Sequence, residues 1–328
     1  MSAWSNSSTT VAQHLRQLHK LDQTIVTTET ILTTETIVTT NKDYPIIDIG
    51  INLVHKTFQK DMNNILQRAY NANVKGLIIT GTSLNNSIAA TKLVTNLVTN
   101  LVTKSSPNIP LLWFTVGIHP HSASSLMDPK SKTPSNTILK QLEELSNNEK
   151  CVAIGECGLD FNRMFSSKQD QELCFIEQIK LSTKMNKPLF LHERDAHKRF
   201  LQLLKLHTKN RPKELPICVH CFTGNKDELE DYIKEGYYIG ITGWITDPKR
   251  GKELFDCVKY IPLDRLMVET DAPFLTPYNI PNKKDVKNNE PSYLPCVVEK
   301  IAEAYQLPPQ KIAYHTTENA KRFFNICL

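Results

Sequence analysis

From residue 44 onward, short apolar runs alternate with longer segments whose apolar residues recur at helical spacing. The runs are Ile46–Asn52, Gly76–Gly81, Trp113–His119, Val152–Gly158, Pro188–Glu193, Pro216–Cys221, Tyr237–Gly243 and Leu266–Asp271. Each is brief and nearly continuously apolar, as parallel strands covered by helices must be. Between them, Leu201, Leu203 and Leu204 with Arg199 and Lys205 outward, or Leu229, Tyr232 and Ile233, mark helices with one buried face. Strands alternating with helices over about 280 residues predict an α/β fold, a (β/α)8 TIM barrel. The competing fold, a doubly wound open sheet, calls for a glycine-rich phosphate loop after the first strand. Gly50-Ile-Asn-Leu stands there instead.

The pattern is absent from residues 1–43, which read as a low-complexity, Thr-rich extension expected to be disordered. Thr27-Thr-Glu-Thr-Ile-Leu32 is followed at once by Thr33-Thr-Glu-Thr-Ile-Val38, a period far below that of solenoid repeats. A second biased patch, Leu93-Val-Thr-Asn-Leu-Val-Thr-Asn-Leu-Val-Thr103, repeats every four residues. Its Leu93, Leu97 and Leu101 would stack on one helix face. Neither patch carries chemistry. The globular domain is therefore expected over residues 44–328.

Composition changes little. Apolar residues make up 40% of the chain, and 39 Lys and Arg against 34 Asp and Glu give a net charge of +5. This excess permits a polyanionic partner without arguing for one. The eight cysteines show no disulfide-framework spacing, so a reducing intracellular compartment is expected. Cys218-Val-His-Cys221 contains a CxxC string. Strand alternation puts Cys218 and His220 on one face and Cys221 on the other, which favours barrel packing over a zinc or redox pair. No window approaches the ~20 apolar residues of a membrane span, and the N-terminus lacks the apolar core of a secretory signal. Asp22, Glu29 and Glu35 argue against a transit peptide.

The informative chemistry lies where the runs end. Val152-Ala-Ile154 leads into Gly155-Glu156-Cys-Gly-Leu-Asp160, and a carboxylate ending a buried strand is costly without a compensating partner. His192, His220 and Asp271 end three later runs. Further polar residues end three of the other four: Asp48 and Asn52, His119 and His121, Thr242 and Trp244. In this barrel class active sites form at the C-terminal ends of the strands, so this recurrence predicts one metal centre. Two imidazoles and two carboxylates without a thiolate suit Mg2+, Mn2+ or Zn2+. Glu156 could bridge two ions, and a two-ion centre suits phosphoester hydrolysis.

At these residues a family resemblance is plain. Gly117-Ile-His-Pro-His121, Ile154-Gly-Glu-Cys-Gly-Leu-Asp160, Leu191-His-Glu-Arg-Asp195, His220-Cys-Phe-Thr-Gly224, Gly240-Ile-Thr-Gly-Trp244, Glu269-Thr-Asp-Ala-Pro273 and Asn289-Glu-Pro291 occur in this order. Together they resemble the TatD family of metal-dependent deoxyribonucleases. With Asp48-Ile-Gly-Ile-Asn-Leu53, the chain is most similar to eukaryotic members of the branch nearest bacterial TatD. The resemblance implies a barrel of the metal-dependent hydrolase superfamily that cleaves DNA as a 3′-to-5′ exonuclease using Mg2+. It implies Glu156, His192, His220 and Asp271 as metal ligands, with Asp271 also a general base. His119 and His121 would face the scissile phosphate or the nucleotide. Residence in the nucleus, the cytoplasm or both follows from the resemblance alone.

Two positions depart from the wider family. Gly50 and Asn52 stand where many relatives carry a metal-binding histidine pair, a change shared within the TatD branch. Asn288 stands where bacterial relatives carry arginine, leaving Lys283 or Lys287 as substitutes. Among other residues, Arg194 is expected to pair with Asp195 and hold a loop, or else to contact a phosphate oxygen, and Glu193 to point away from the ligands. Trp113 is expected in the core, Glu269 behind the ligands, and Trp244 either in the core or stacked on a base. Rival readings are a hydrolase of small esters, lactones or amides, and an inactive DNA-binding or scaffold protein. The missing histidine pair opposes the first. The intact set of four ligands opposes the second.

Overall fold

The structure, a computed structural model, describes residues 44–103, 108–212, 214–281 and 283–328. The extension expected over residues 1–43 lies outside the described residues. Each apolar run contains one strand: β1 (Ile46–Ile51), β2 (Val74–Ile79), β3 (Leu111–Val116), β4 (Cys151–Asp160), β5 (Leu189–Arg194), β6 (Ile217–Val219), β7 (Tyr238–Ile241) and β8 (Leu266–Val268). They pair in parallel and in chain order, β1 to β8. Past β8 the chain docks back on β1. The Asp271 amide donates to the Gly50 carbonyl at 2.8 Å, and the Asn52 amide to that of Ala272 at 2.9 Å.

Asp48 reinforces this closure. Fully buried on β1, it accepts the Thr270 amide at 2.9 Å and the Thr270 hydroxyl at 2.5 Å. Burial pushes its carboxyl up to about 7, against those hydrogen bonds. Asp48 thus clasps the two edges of the sheet rather than serving the chemistry.

The connections carry helices α1 (Met62–Asn71), α2 (Leu84–Thr103), α3 (Asn136–Ser146), α4 (Lys168–Met185), α5 (His197–His207), α6 (Lys226–Lys234), α7 (Lys252–Cys257), α8 (Leu294–Tyr305) and α9 (Pro309–Phe324). Leu201, Leu203, Leu204, Leu229 and Tyr232 are buried, as their spacing predicts. The biased patch lies within α2, where Leu93 and Leu97 pack on the core; the Leu101 side chain lies outside the described residues. No helix among the described residues is long and apolar enough to cross a membrane.

Strand alternation divides the core in two. One layer lies between sheet and helices. The other fills the barrel with Ile49, Ile78, Trp113, Phe190, Cys218 and Met267. Phe323 and Phe324 of α9 join this inner cluster, and Phe323 meets Tyr238, the first residue of β7, at 5.2 Å between ring centres. Helix α9 therefore stoppers the end where the strands begin, leaving the opposite mouth for a site. Trp113 is core, as expected. Cys218 is in this inner packing, Cys221 lies beyond β6, and all eight cysteines are free.

Candidate active site

Glu156 reaches the barrel mouth because β4 is irregular. The register against β5 shifts between Ile154 and Cys157, and the Gly155–Glu156 peptide is cis. Gly155 and Gly158 have φ of 144° and 145°, conformations that side chains rarely adopt. A Cβ at Gly155 would also strike the Phe190 carbonyl, and one at Gly158 the His192 carbonyl. The glycines of this loop thus let β4 approach β5 closely while Glu156 turns inward.

Three imidazoles converge on one oxygen of that carboxylate. Glu156 Oε1 lies 2.7 Å from His220 Nε2, 3.0 Å from His192 Nδ1 and 3.2 Å from His119 Nε2. His119 follows β3, where its Nδ1 accepts the His121 amide at 3.1 Å and leaves Nε2 for the site. His192 lies on β5, and His220 directly follows β6. Phe190 floors the group, its ring centre 4.7 Å from that of His220.

A second carboxylate stands beside the first. Asp160 Oδ2 lies 2.6 Å from His121 Nε2 and 3.5 Å from His192 Nε2. Across the mouth, Asp271 Oδ1 accepts the Asn52 side-chain amide at 2.9 Å. Behind His220, fully buried Glu269 lies 3.3 Å from its Nδ1 and accepts the Cys221 amide. A methyl group at Gly50 would overlap Glu269 Oε2, so the glycine supplies the space for this carboxylate.

These contacts set the protonation of the group. Burial works to raise Glu156, but His220 and His119 outweigh it and hold the carboxyl well below its usual range. Burial works to lower His192 and His220, yet the former is raised by Asp160 and Glu156 and the latter far more by Glu156 and Glu269. His119 is pushed down to about 4 by burial, against the pull of Glu156. Asp160 falls below the carboxylate range because His121 and His192 outweigh its burial. Asp271 is raised to about 7 by burial and the Glu156 charge.

The donor set fits a divalent ion. Ligand atoms of His119, Glu156 and His192 all lie within 4.8 Å of one another. Among the described residues, buried His192 Nε2 has no well-formed hydrogen bond, its nearest carboxylate oxygen being Asp160 Oδ2 at 3.5 Å. Imidazole donors suit Zn2+ and carboxylates suit Mg2+ or Mn2+, so this mixed set is compatible with a divalent ion without choosing among them.

The comparisons with known proteins agree. The model of the "TatD related DNase" family matches residues 47–325. The chain belongs to the TatD family. A 3′-5′ ssDNA/RNA exonuclease TatD from Salmonella typhimurium is 40% identical, covering 86% of this chain and 99% of its own. Its namesake from Pectobacterium atrosepticum is 41% identical, covering 86% and 100%. A TatD family hydrolase structure from Entamoeba histolytica superposes with a TM-score of 0.74 at 27% identity, covering 87% and 99%. A TatD homologue from Escherichia coli gives 0.71 at 27% identity, covering 86% and 98%.

Within this TatD barrel, Glu156, His192 and His220 come together, whereas Asp271, expected beside them, stands across the mouth on the Asn52 side chain. His119, expected against the phosphate, joins the cluster around Glu156, while His121 stands one step out, on Asp160. Asn52, which looked only like a lost histidine, holds Asp271. Asp160 was legible as a strand-end acid, but its partnership with His121 was not. The signal was its spacing: Glu156 and Asp160 lie four residues apart on β4, on one strand face.

Other expectations divide. Glu193 does point away, taking the Tyr232 hydroxyl at 2.9 Å. Arg194 and Asp195 form no ion pair; Asp195 takes the Asn162 side-chain amide at 2.6 Å instead. Trp244 is half-buried, packed against the core, with the Arg250 guanidinium 4.3 Å from its ring centre. Lys283 lies over the Tyr278 ring at 5.7 Å, and the motif residue Glu290 binds Arg68 at 2.6 Å.

Proposed function

We propose that this TatD protein is a metal-dependent exonuclease that hydrolyses phosphodiester bonds of single-stranded DNA from the 3′ end. The carrying observation is the convergence of His119, His192 and His220 on one Glu156 oxygen, at the mouth of a TatD barrel. The exonuclease names of relatives about 40% identical over nearly their whole length support the polarity and the substrate.

In this reading Glu156, His192, His220 and Asp271 would hold the cation, with His119 beside them and Mg2+ as the physiological ion. Such a cation would supply charge neutralisation at the phosphate and a more acidic attacking water. Asp271, held in place by the Asn52 side-chain amide, would take the proton of the attacking water. Water oxygen bonds to phosphorus, the bond to the leaving 3′ oxygen breaks, and His121 delivers a proton to that oxygen while Asp160 steadies its ring. The nucleic acid is the only partner this mechanism needs.

We further infer that residues 44–328 carry the whole activity and that residues 1–43 are a separate extension, a division supported by the family match to residues 47–325. Placement in the nucleus, the cytoplasm or both rests on family resemblance.

The test is digestion of end-labelled single- and double-stranded DNA with Mg2+ or a chelator, beside Glu156→Ala. Stepwise 3′ shortening by the wild type alone, abolished by chelation, is expected. Equal cleavage by the variant would overturn the site.

A further inference from the structure

Phe165 and Phe274 are 70% and 52% exposed, whereas every other phenylalanine is buried or half-buried. Leaving two benzyl groups in water forgoes the burial that stabilises the rest of the fold. Both belong to the catalytic mouth. Phe165 follows β4, and its ring centre lies 4.8 Å from that of His121. Phe274 follows β8, three residues past Asp271, with its ring 5.9 Å from His55. In a ring of eight strands, β4 and β8 are four apart, so the segments that carry the two phenylalanines leave the mouth on opposite sides.

Neither ring rides on a loose loop. The turn before Phe165 is pinned by Asp160 Oδ1, which accepts the amides of Asn162 at 2.9 Å and Arg163 at 2.7 Å. The turn after it is pinned by buried Ser166, whose hydroxyl donates to the His121 carbonyl at 3.1 Å. On the other side, fully buried Asn289 donates its side-chain amide to the carbonyls of Phe274 at 2.8 Å and Thr270 at 2.9 Å. The fold therefore presents two flat apolar faces, held firmly beside the reacting groups.

We propose that Phe165 and Phe274 are stacking platforms for the two nucleobases that flank the scissile phosphate. This rests on the exonuclease reading and deepens it. A base can lie on such a ring only when its own face is free, so the platforms select unpaired 3′ ends over duplex without reading sequence. Phe165, against His121, takes one base, and Phe274 takes its neighbour across the mouth. Arranged this way, stacking binds the strand and also sets the phosphate between them over Glu156.

The test uses a single-stranded oligonucleotide with an intact 3′ end and one whose terminal nucleotides are abasic. The ratio of their kcat/KM values measures what the bases contribute, and it cancels any general loss in a variant. Phe165→Ala and Phe274→Ala should each cut this ratio by about 5- to 150-fold, the worth of stacking one base, and Phe165→Trp should restore it. In chelator, 2-aminopurine at the 3′ terminus should be quenched on binding the wild type and less so on binding Phe165→Ala. An unchanged ratio in both alanine variants would overturn the platforms while leaving the exonuclease reading intact. A wild type that hydrolyses bis(p-nitrophenyl) phosphate but no DNA would overturn the exonuclease reading, and the platforms with it.

Discussion

The side-chain amide of Asn52 donates to Asp271 Oδ1 across 2.9 Å, joining residues 219 apart in sequence. It does so because the chain beyond β8 lies against β1, completing the ring with the Asp271–Gly50 backbone hydrogen bond. One side chain thereby engages Asp271 Oδ1 at the barrel mouth.

Asn52→Ala should lower kcat by about 10- to 100-fold with little change in KM, the range expected for a lost hydrogen bond to a charged group. Steady-state kinetics on single-stranded DNA measure this. An unchanged kcat would mean that Asp271 is oriented by other groups.

Metal affinity should rise with pH. Without the ion, His192 and His220 hold protons more tightly than free imidazole because nearby carboxylates outweigh their burial. A cation must displace those protons, so affinity weakens as pH falls and strengthens as pH climbs through the raised values. Calorimetric titration with Mn2+ in buffers of different ionisation enthalpy should detect proton release. Flat affinity across about pH 6 to 9 would rule this competition out.

Gly50→Ala should destabilise the fold. The new methyl group would overlap Glu269 Oε2 and crowd Phe190, and displacing Glu269 strands the Cys221 amide that it accepts. Overpacking of this kind costs about 1–3 kcal/mol, or roughly 2–4 °C of Tm per kcal/mol in a domain of this size. Differential scanning calorimetry would show it, and an unchanged Tm would mean that Glu269 relocates freely.

Asn289→Ala should loosen the segment after β8. It leaves the buried Thr270 carbonyl and the Phe274 carbonyl without their donor, a loss of about 1–3 kcal/mol. Limited proteolysis with mass spectrometry should find new cleavage near Phe274. A digestion pattern like that of the wild type would place the anchoring elsewhere.

The chain's own pattern determined the barrel, because eight apolar runs separated by helical spacing leave few other ways to cover every strand face. It also singled out the strand ends as candidates for a shared site: polar residues that close buried runs are costly alone and call for partners. Tertiary structure decided how those residues divide the work. His119 joined His192 and His220 on Glu156, whereas His121, two residues further on, turned to Asp160. Strand periodicity gives the face of a residue within a strand but not the path of a loop beyond it. Asn52 and Gly50 showed the same limit. By sequence they were only missing histidines; in the closed ring one holds Asp271 and the other leaves room for Glu269, because closure brings the first strand against the last.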